Sequence, residues 1–244
     1  FLIIFVFVLA RKSFLFKQIK LSSWVIVLIF CVISFFLVFS LPFSHQFVVD
    51  ESFYMGAAKN IVINGELRLD DGGYAKQVGW PVVLSIAFRF FGVNNHVAIF
   101  CSIFVSALSI IPFFLFVFHL FKSEKIALLS VFLYCFFPLR LLMAASAETA
   151  SVSLLFIFLT LWVFVEFFYR PKFRLHLLGW LLFLFAIQIR VENLLLLIPL
   201  LYLLFKRRSY LSKTDLWLFC LSPFFLSFIY QYLRLKSFYV TAYA

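Results

Sequence analysis

Apolar runs long enough to cross a lipid bilayer, separated from one another by clusters of Lys and Arg, dominate this chain of 244 residues. A bilayer core about 30 Å thick takes about 20 apolar residues of helix, and a soluble core does not call for one such run after another. Hydrophobic side chains make up 66% of the sequence and charged ones 13%, so polar groups are too few to cover a water-facing surface. With 39 Phe and a mean hydropathy of +1.12, the chain reads as an integral membrane protein. Disorder, collagen-like repeats and a nucleic-acid module are excluded together. The formal charge of +11 then belongs to cytoplasmic loops held against anionic membrane lipid.

On the bilayer ruler, the candidate spans are 21–43, 96–121, 126–144, 149–168, 175–189, 193–205 and 216–233. The two pieces 175–189 and 193–205 are short and are interrupted by Arg190 and Glu192, so two tight spans and an incompletely crossing hairpin both stay open. Residues 79–92 form a further short piece carrying Arg89. The expected fold is all-α, a polytopic transmembrane bundle of about seven or eight membrane segments in one domain over 1–244. Phe1 is not an initiator Met and no stop signal precedes Ala244, so the chain reads as part of a longer protein, incomplete at both ends and expected to be inactive alone.

Lys and Arg are held on the cytoplasmic side, which orients the chain. Four clusters, Arg11/Lys12/Lys17/Lys20, Lys122/Lys125, Arg170/Lys172/Arg174 and Lys206/Arg207/Arg208/Lys213, hold 13 of the 21 basic residues. Placing all four inside puts 44–78, 144–149 and 190–192 outside. Parity then lets only one of 79–92 and 96–121 cross fully, and 79–92 is the piece expected to insert partway.

The outer loop 44–78 carries five of the ten acids: Asp50, Glu51, Glu66, Asp70 and Asp71. Asp50 is placed to cap a helix whose apolar positions Phe53, Tyr54, Ala57, Ala58 and Ile61 recur at helical spacing, with Glu51 in its first turn. Asn64-Gly65 ends that helix. A juxtamembrane helix with its acidic end in water is the expectation. Charged groups at membrane depth cost about 2.5–3.5 kcal/mol each, so Arg140, Glu148, Glu166, Arg190 and Glu192 are the further candidates for function. Glu166 lies one turn from Arg170 and reads as a rim ion pair; Arg140 either snorkels from a helix end or carries function. Arg190 and Glu192 read equally as a mutually neutralising pair. The four His are dispersed without ligand spacing and the four Cys sit inside apolar runs, so no metal site is expected from them.

Asp50-Glu51-Ser52-Phe53-Tyr54, then Ala57-Ala58-Lys59-Asn60 and Asn64-Gly65-Glu66, resembles the first outer loop of the GT-C membrane glycosyltransferases, nearest the protein O-mannosyltransferase and aminoarabinose transferase group. Gly79-Trp80-Pro81 through Phe91-Gly92, Phe121 through Leu129, and Pro138 through Ala150 continue the similarity in order over about residues 22–210. The resemblance implies catalytic carboxylates at Asp50, Glu51 and Glu148, with Asp50 as the catalytic base or as the carboxylate that orients the acceptor. It implies substrate contacts from Tyr54, Lys76, Arg190 and Glu192, with Lys76 and Arg190 facing the lipid phosphate. The usual Lys-Pro-Pro stands here as Lys76-Gln77-Val78-Gly79-Trp80-Pro81, a departure at that position. The activity implied is sugar transfer from a polyprenyl-phosphate donor to a hydroxyl of a protein, lipid or glycan at the non-cytoplasmic face, with inversion. No cofactor is called for beyond a possible divalent cation. A secondary transporter would place its charges at the bilayer midplane on broken helices, usually within a repeat, and no repeat is found; a noncatalytic scaffold is the other alternative.

Overall fold

The computed structural model describes residues 19–41, 49–66 and 77–206, with the side chains of Val49, Asp50, Leu204 and Phe205 outside that description. The candidate span 216–233 and, apart from Lys20 and Lys206, the basic clusters around Arg11 and Arg207 also lie outside it. Within the described residues every regular element is helical: α1 Leu21–Phe39, α2 Val49–Asn64, α3 Gly79–Phe91, α4 Asn95–Leu108, α5 Ile110–Phe121, α6 Glu124–Cys135, α7 Pro138–Ala144, α8 Thr149–Tyr169, α9 Phe173–Ile189, a 3-10 helix Val191–Leu196 and α10 Leu197–Lys206. Three reach bilayer length: α1, α8, and α4 with α5, which run on as one 27-residue apolar unit over Asn95–Phe121. The expected single piece 126–144 is instead bent by 58° between α6 and α7. Phe137, the residue before Pro138, is extended, as steric conflict with the proline ring requires, and Pro138 then opens α7 at a position where its missing N–H is no loss.

Ring contacts fix the helix directions. Phe114 meets Trp24 and Phe100 meets Phe35, so α4–α5 runs antiparallel to α1. Phe113 meets Phe158, while Phe167, Phe164 and Phe156 meet His176, Trp180 and Phe185 in turn, so α8 runs along α5 and against α9. The central helix is α8, packed on α4, α5, α7, α9 and α10. Basic residues gather at one end of this bundle. There the Lys20 amide and the Ser23 hydroxyl both donate to Glu124, and the Lys122 ammonium sits 3.6 Å over the Tyr169 ring.

At 13 residues α3 is about 20 Å long, too short for a 30 Å core, whereas α4–α5 is long enough; this fits the parity argument. Its first residue explains its placement. A Cβ on Gly79 would stand 2.7 Å from Ile189 Cγ1 and 2.9 Å from the Ile189 amide nitrogen, so only glycine lets α3 press on the end of α9. Because backbone cannot rotate away, Gly79→Ala is expected to force α3 and α9 apart and to cost about 1–3 kcal/mol. Thermal unfolding in detergent measures this, and an unshifted midpoint would contradict the contact.

Two polar expectations change. Arg140 does not snorkel: it is 3% exposed and sits inside the bundle. Glu166 is no open rim residue either; its carboxylate lies 2.6 Å from His119 Nε2, with both side chains buried.

Candidate functional site

The site is built on the backbone of one residue. Ala147 lies in the tight turn between α7 and α8, where no helix supplies its backbone with partners. Its N–H donates to Glu51 Oε1 at 3.0 Å, and its C=O accepts from Trp80 Nε1 at 2.7 Å. Glu51 and Trp80 are buried, the latter completely. Both backbone polar groups of this buried residue are thus satisfied by side chains from segments 96 and 67 residues away in sequence. A carboxylate acceptor makes the first of these bonds charge-assisted and so stronger than a neutral one.

This clamp joins two of the segments that charge counting sets on one side, 44–78 and 144–149, to the start of α3. Glu51 stands on the first turn of α2, Trp80 on the first turn of α3, and Ala147 immediately precedes Glu148, which occupies the N-cap position of α8. The third of those segments, 190–192, arrives through Gly79, whose contact with Ile189 places Arg190 beside the start of α3. Behind them, Asn193 ties the 3-10 helix down: its Nδ2 donates to Ser153 Oγ at 2.8 Å and to Ala186 O at 2.7 Å. Tyr54 donates its hydroxyl to Gln77 Oε1 at 3.0 Å, which fastens α2 to the residues leading into α3.

The predicted residues fare differently. Helix α2 begins at Val49, so Asp50 lies within its first turn rather than capping it, and its side chain is outside the described residues. Lys76 is also outside them. Glu51 departs from expectation: its carboxylate is buried against Ala147 and does not face water. Glu148 makes no side-chain cap bond to α8 although it holds the N-cap position. Arg190 Nε lies 3.7 Å from Glu192 Oε2, with side chains 41% and 63% exposed, so this is an open pair and not two buried charges neutralising each other. Among the described residues no three His, Cys, Asp or Glu group as metal ligands.

Residue-type reasoning passes over Trp80 and Ala147 because neither carries acid–base chemistry. The only signal was position, since both fall at the edges of apolar segments on the acidic side. An apolar cavity of about 750 Å³ opens at the other end of α3, lined by Phe39, Phe91, Val97, Phe100 and Phe104, with His96 as its polar member. Eleven residues of α3 separate Trp80 from Phe91, so the cavity lies roughly 16 Å along the helix from the clamp.

Apolar helices that gather distant acids, an indole and an arginine at one end are those of an integral membrane protein. Residues 78–231 match the dolichyl-phosphate-mannose-protein mannosyltransferase family, and the chain belongs to that family. It is accordingly a membrane glycosyltransferase of the type that uses a polyprenyl-phosphate-linked sugar. The match begins just after the loop that carries Asp50, Glu51, Tyr54 and Lys76. No curated protein and no solved structure matches the chain significantly.

Proposed function

We propose that this chain, within its full-length protein, transfers a sugar, mannose first among candidates, from a polyprenyl phosphate to an acceptor hydroxyl at the non-cytoplasmic membrane face. The observation that carries the reading is the Ala147 clamp, which draws the acidic loop to the turn before Glu148. Asp50 is the base. It takes the acceptor O–H proton as the oxygen bonds to the anomeric carbon, and the sugar–phosphate bond breaks with its electron pair leaving on polyprenyl phosphate. Attack from the face opposite the phosphate inverts the anomeric centre. A phosphate leaves as an anion without a strong general acid, so one carboxylate about 3 Å from the acceptor suffices for proton transfer. Arg190, whose side chain is partly exposed beside the clamp, and Lys76 neutralise the phosphate, with Tyr54, Glu148 and Glu192 bordering the sugar and acceptor. Isoprene units of the donor fit the cavity at the far end of α3.

The preferred acceptor is a protein hydroxyl, in keeping with the family's description. The test is transfer of radiolabel from polyprenyl-phosphate mannose, and from its pentose counterpart, to acceptor peptides by the full-length protein in bilayers. Label is expected in peptide from the mannosyl donor; no transfer from any polyprenyl-phosphate sugar would overturn the proposal.

A further inference from the structure

Arg140 is a buried cation that has no ion pair with a carboxylate among the described residues. Such a charge at membrane depth needs a physical reason. Its Nη1 donates to Ser34 Oγ on α1 at 2.9 Å and to Cys135 O at 3.3 Å, and its Nη2 donates to Ser106 O at 2.7 Å. The guanidinium also lies 4.5 Å over the Tyr134 ring. The two carbonyls are not arbitrary. Cys135 is the last residue of α6 before the 58° bend, and Ser106 lies in the last turn of α4, just before the joint at Ser109. The Cys135 carbonyl ends its helix and the Ser106 carbonyl is shared between Arg140 and the Ser109 hydroxyl, which donates to it at 2.6 Å; in hydrocarbon no water replaces a missing partner at such positions. The C-terminus of α6 also carries partial negative charge, which together with the ring favours the cation.

We propose that Arg140 is a positioning residue for sugar transfer: by closing the ends of α4 and α6 on to α1, it sets the direction in which α7 leaves the bend. Helix α7 is seven residues, about 10 Å, and leads straight into Ala145–Glu148. An error in its direction therefore moves Ala147 away from Glu51 and Trp80, and Glu148 with it. Only the rate prediction rests on the transfer reading above; the placement of Ala147 does not.

The experiment uses the full-length protein in lipid nanodiscs, with Arg140→Met, which keeps an unbranched apolar stem without charge, and Arg140→Lys. In Arg140→Met, hydrogen exchange of the Ala147 amide is expected to rise about tenfold while amides 152–165 of α8 keep their protection. Its kcat is expected to fall by about 10²-fold, as for a misplacement near 1 Å, with the donor KM changed less than twofold. Arg140→Lys, which keeps the charge and loses the fork, falls between. If Arg140→Met does not fold, Ser34→Ala removes one anchor and is expected to raise Ala147 exchange two- to threefold. Unchanged Ala147 exchange in the folded variant overturns the proposal. So does a raised donor KM at unchanged kcat, which would make Arg140 a phosphate contact. Faster exchange in a protein whose wild type transfers no sugar upholds the placement and rejects the transfer reading alone.

Discussion

Asp50→Asn in the full-length protein is expected to lower sugar transfer by about 10²–10⁴-fold without unfolding it, because a positioned base contributes that range and an amide of the same shape takes no proton. The assignment to Asp50 rather than Glu51 follows from what Glu51 already does. Its carboxylate accepts the buried Ala147 N–H, and a proton taken up there would weaken the bond that holds the turn before Glu148. On the proposed reaction the two neighbouring acids therefore divide into one that reacts and one that positions. Glu51→Gln keeps an oxygen for the Ala147 amide and is expected to lose transfer far less than Asp50→Asn, whereas Glu51→Ala strands a buried donor at a cost of about 1–3 kcal/mol. Initial rates at saturating donor, with thermal midpoints alongside, separate these outcomes. Transfer by Asp50→Asn within a few-fold of wild type would remove the base, and equal losses in Asp50→Asn and Glu51→Gln would remove the division of roles.

Hydropathy carries the long helices into plain view, since bilayer thickness sets their length whatever they pack against. Helices α1 and α8 and the α4–α5 unit lie where the apolar runs place them. The meeting of the acidic loop with the 144–149 turn was also legible, because the distribution of Lys and Arg alone set both on one side. The bend at Phe136–Phe137 was signalled by Pro138 yet concealed by the apolar residues on either side, which suit a straight helix equally well. Tertiary partners were out of reach. Nothing near Arg140 in sequence announces Ser34 or the Ser106 carbonyl, and His119 and Glu166 stand 47 residues apart with no shared motif. Glu51 was read as water-facing because an acid in a polar loop gives no hint that a backbone amide from a distant turn will take it.

The buried pair between α5 and α8 gives the largest expected effect on stability. His119 Nδ1 lies 2.7 Å from the Leu115 carbonyl, which only accepts, so this nitrogen is the donor. Nε2 and Glu166 Oε2, 2.6 Å apart, would repel as two bare acceptors, so a second proton must lie between them. The pair is then neutral as a unit, which is how two titratable groups with almost no exposure are tolerated so deep. His119→Leu removes the partner and strands the carboxyl, at an expected cost of about 3–5 kcal/mol, while His119→Leu with Glu166→Leu replaces both by apolar groups and is expected to return close to wild type. Unfolding midpoints of wild type, His119→Leu, Glu166→Leu and the double variant in detergent close the cycle. A single variant as stable as wild type would show the contact to be idle, and a double variant no better than the single would mean that packing, not the stranded carboxyl, sets the loss. This pair sits at the end of α8 away from Glu148, so a loss of transfer in His119→Leu that the double variant restores would show that the clamp depends on how firmly α8 is seated along its length.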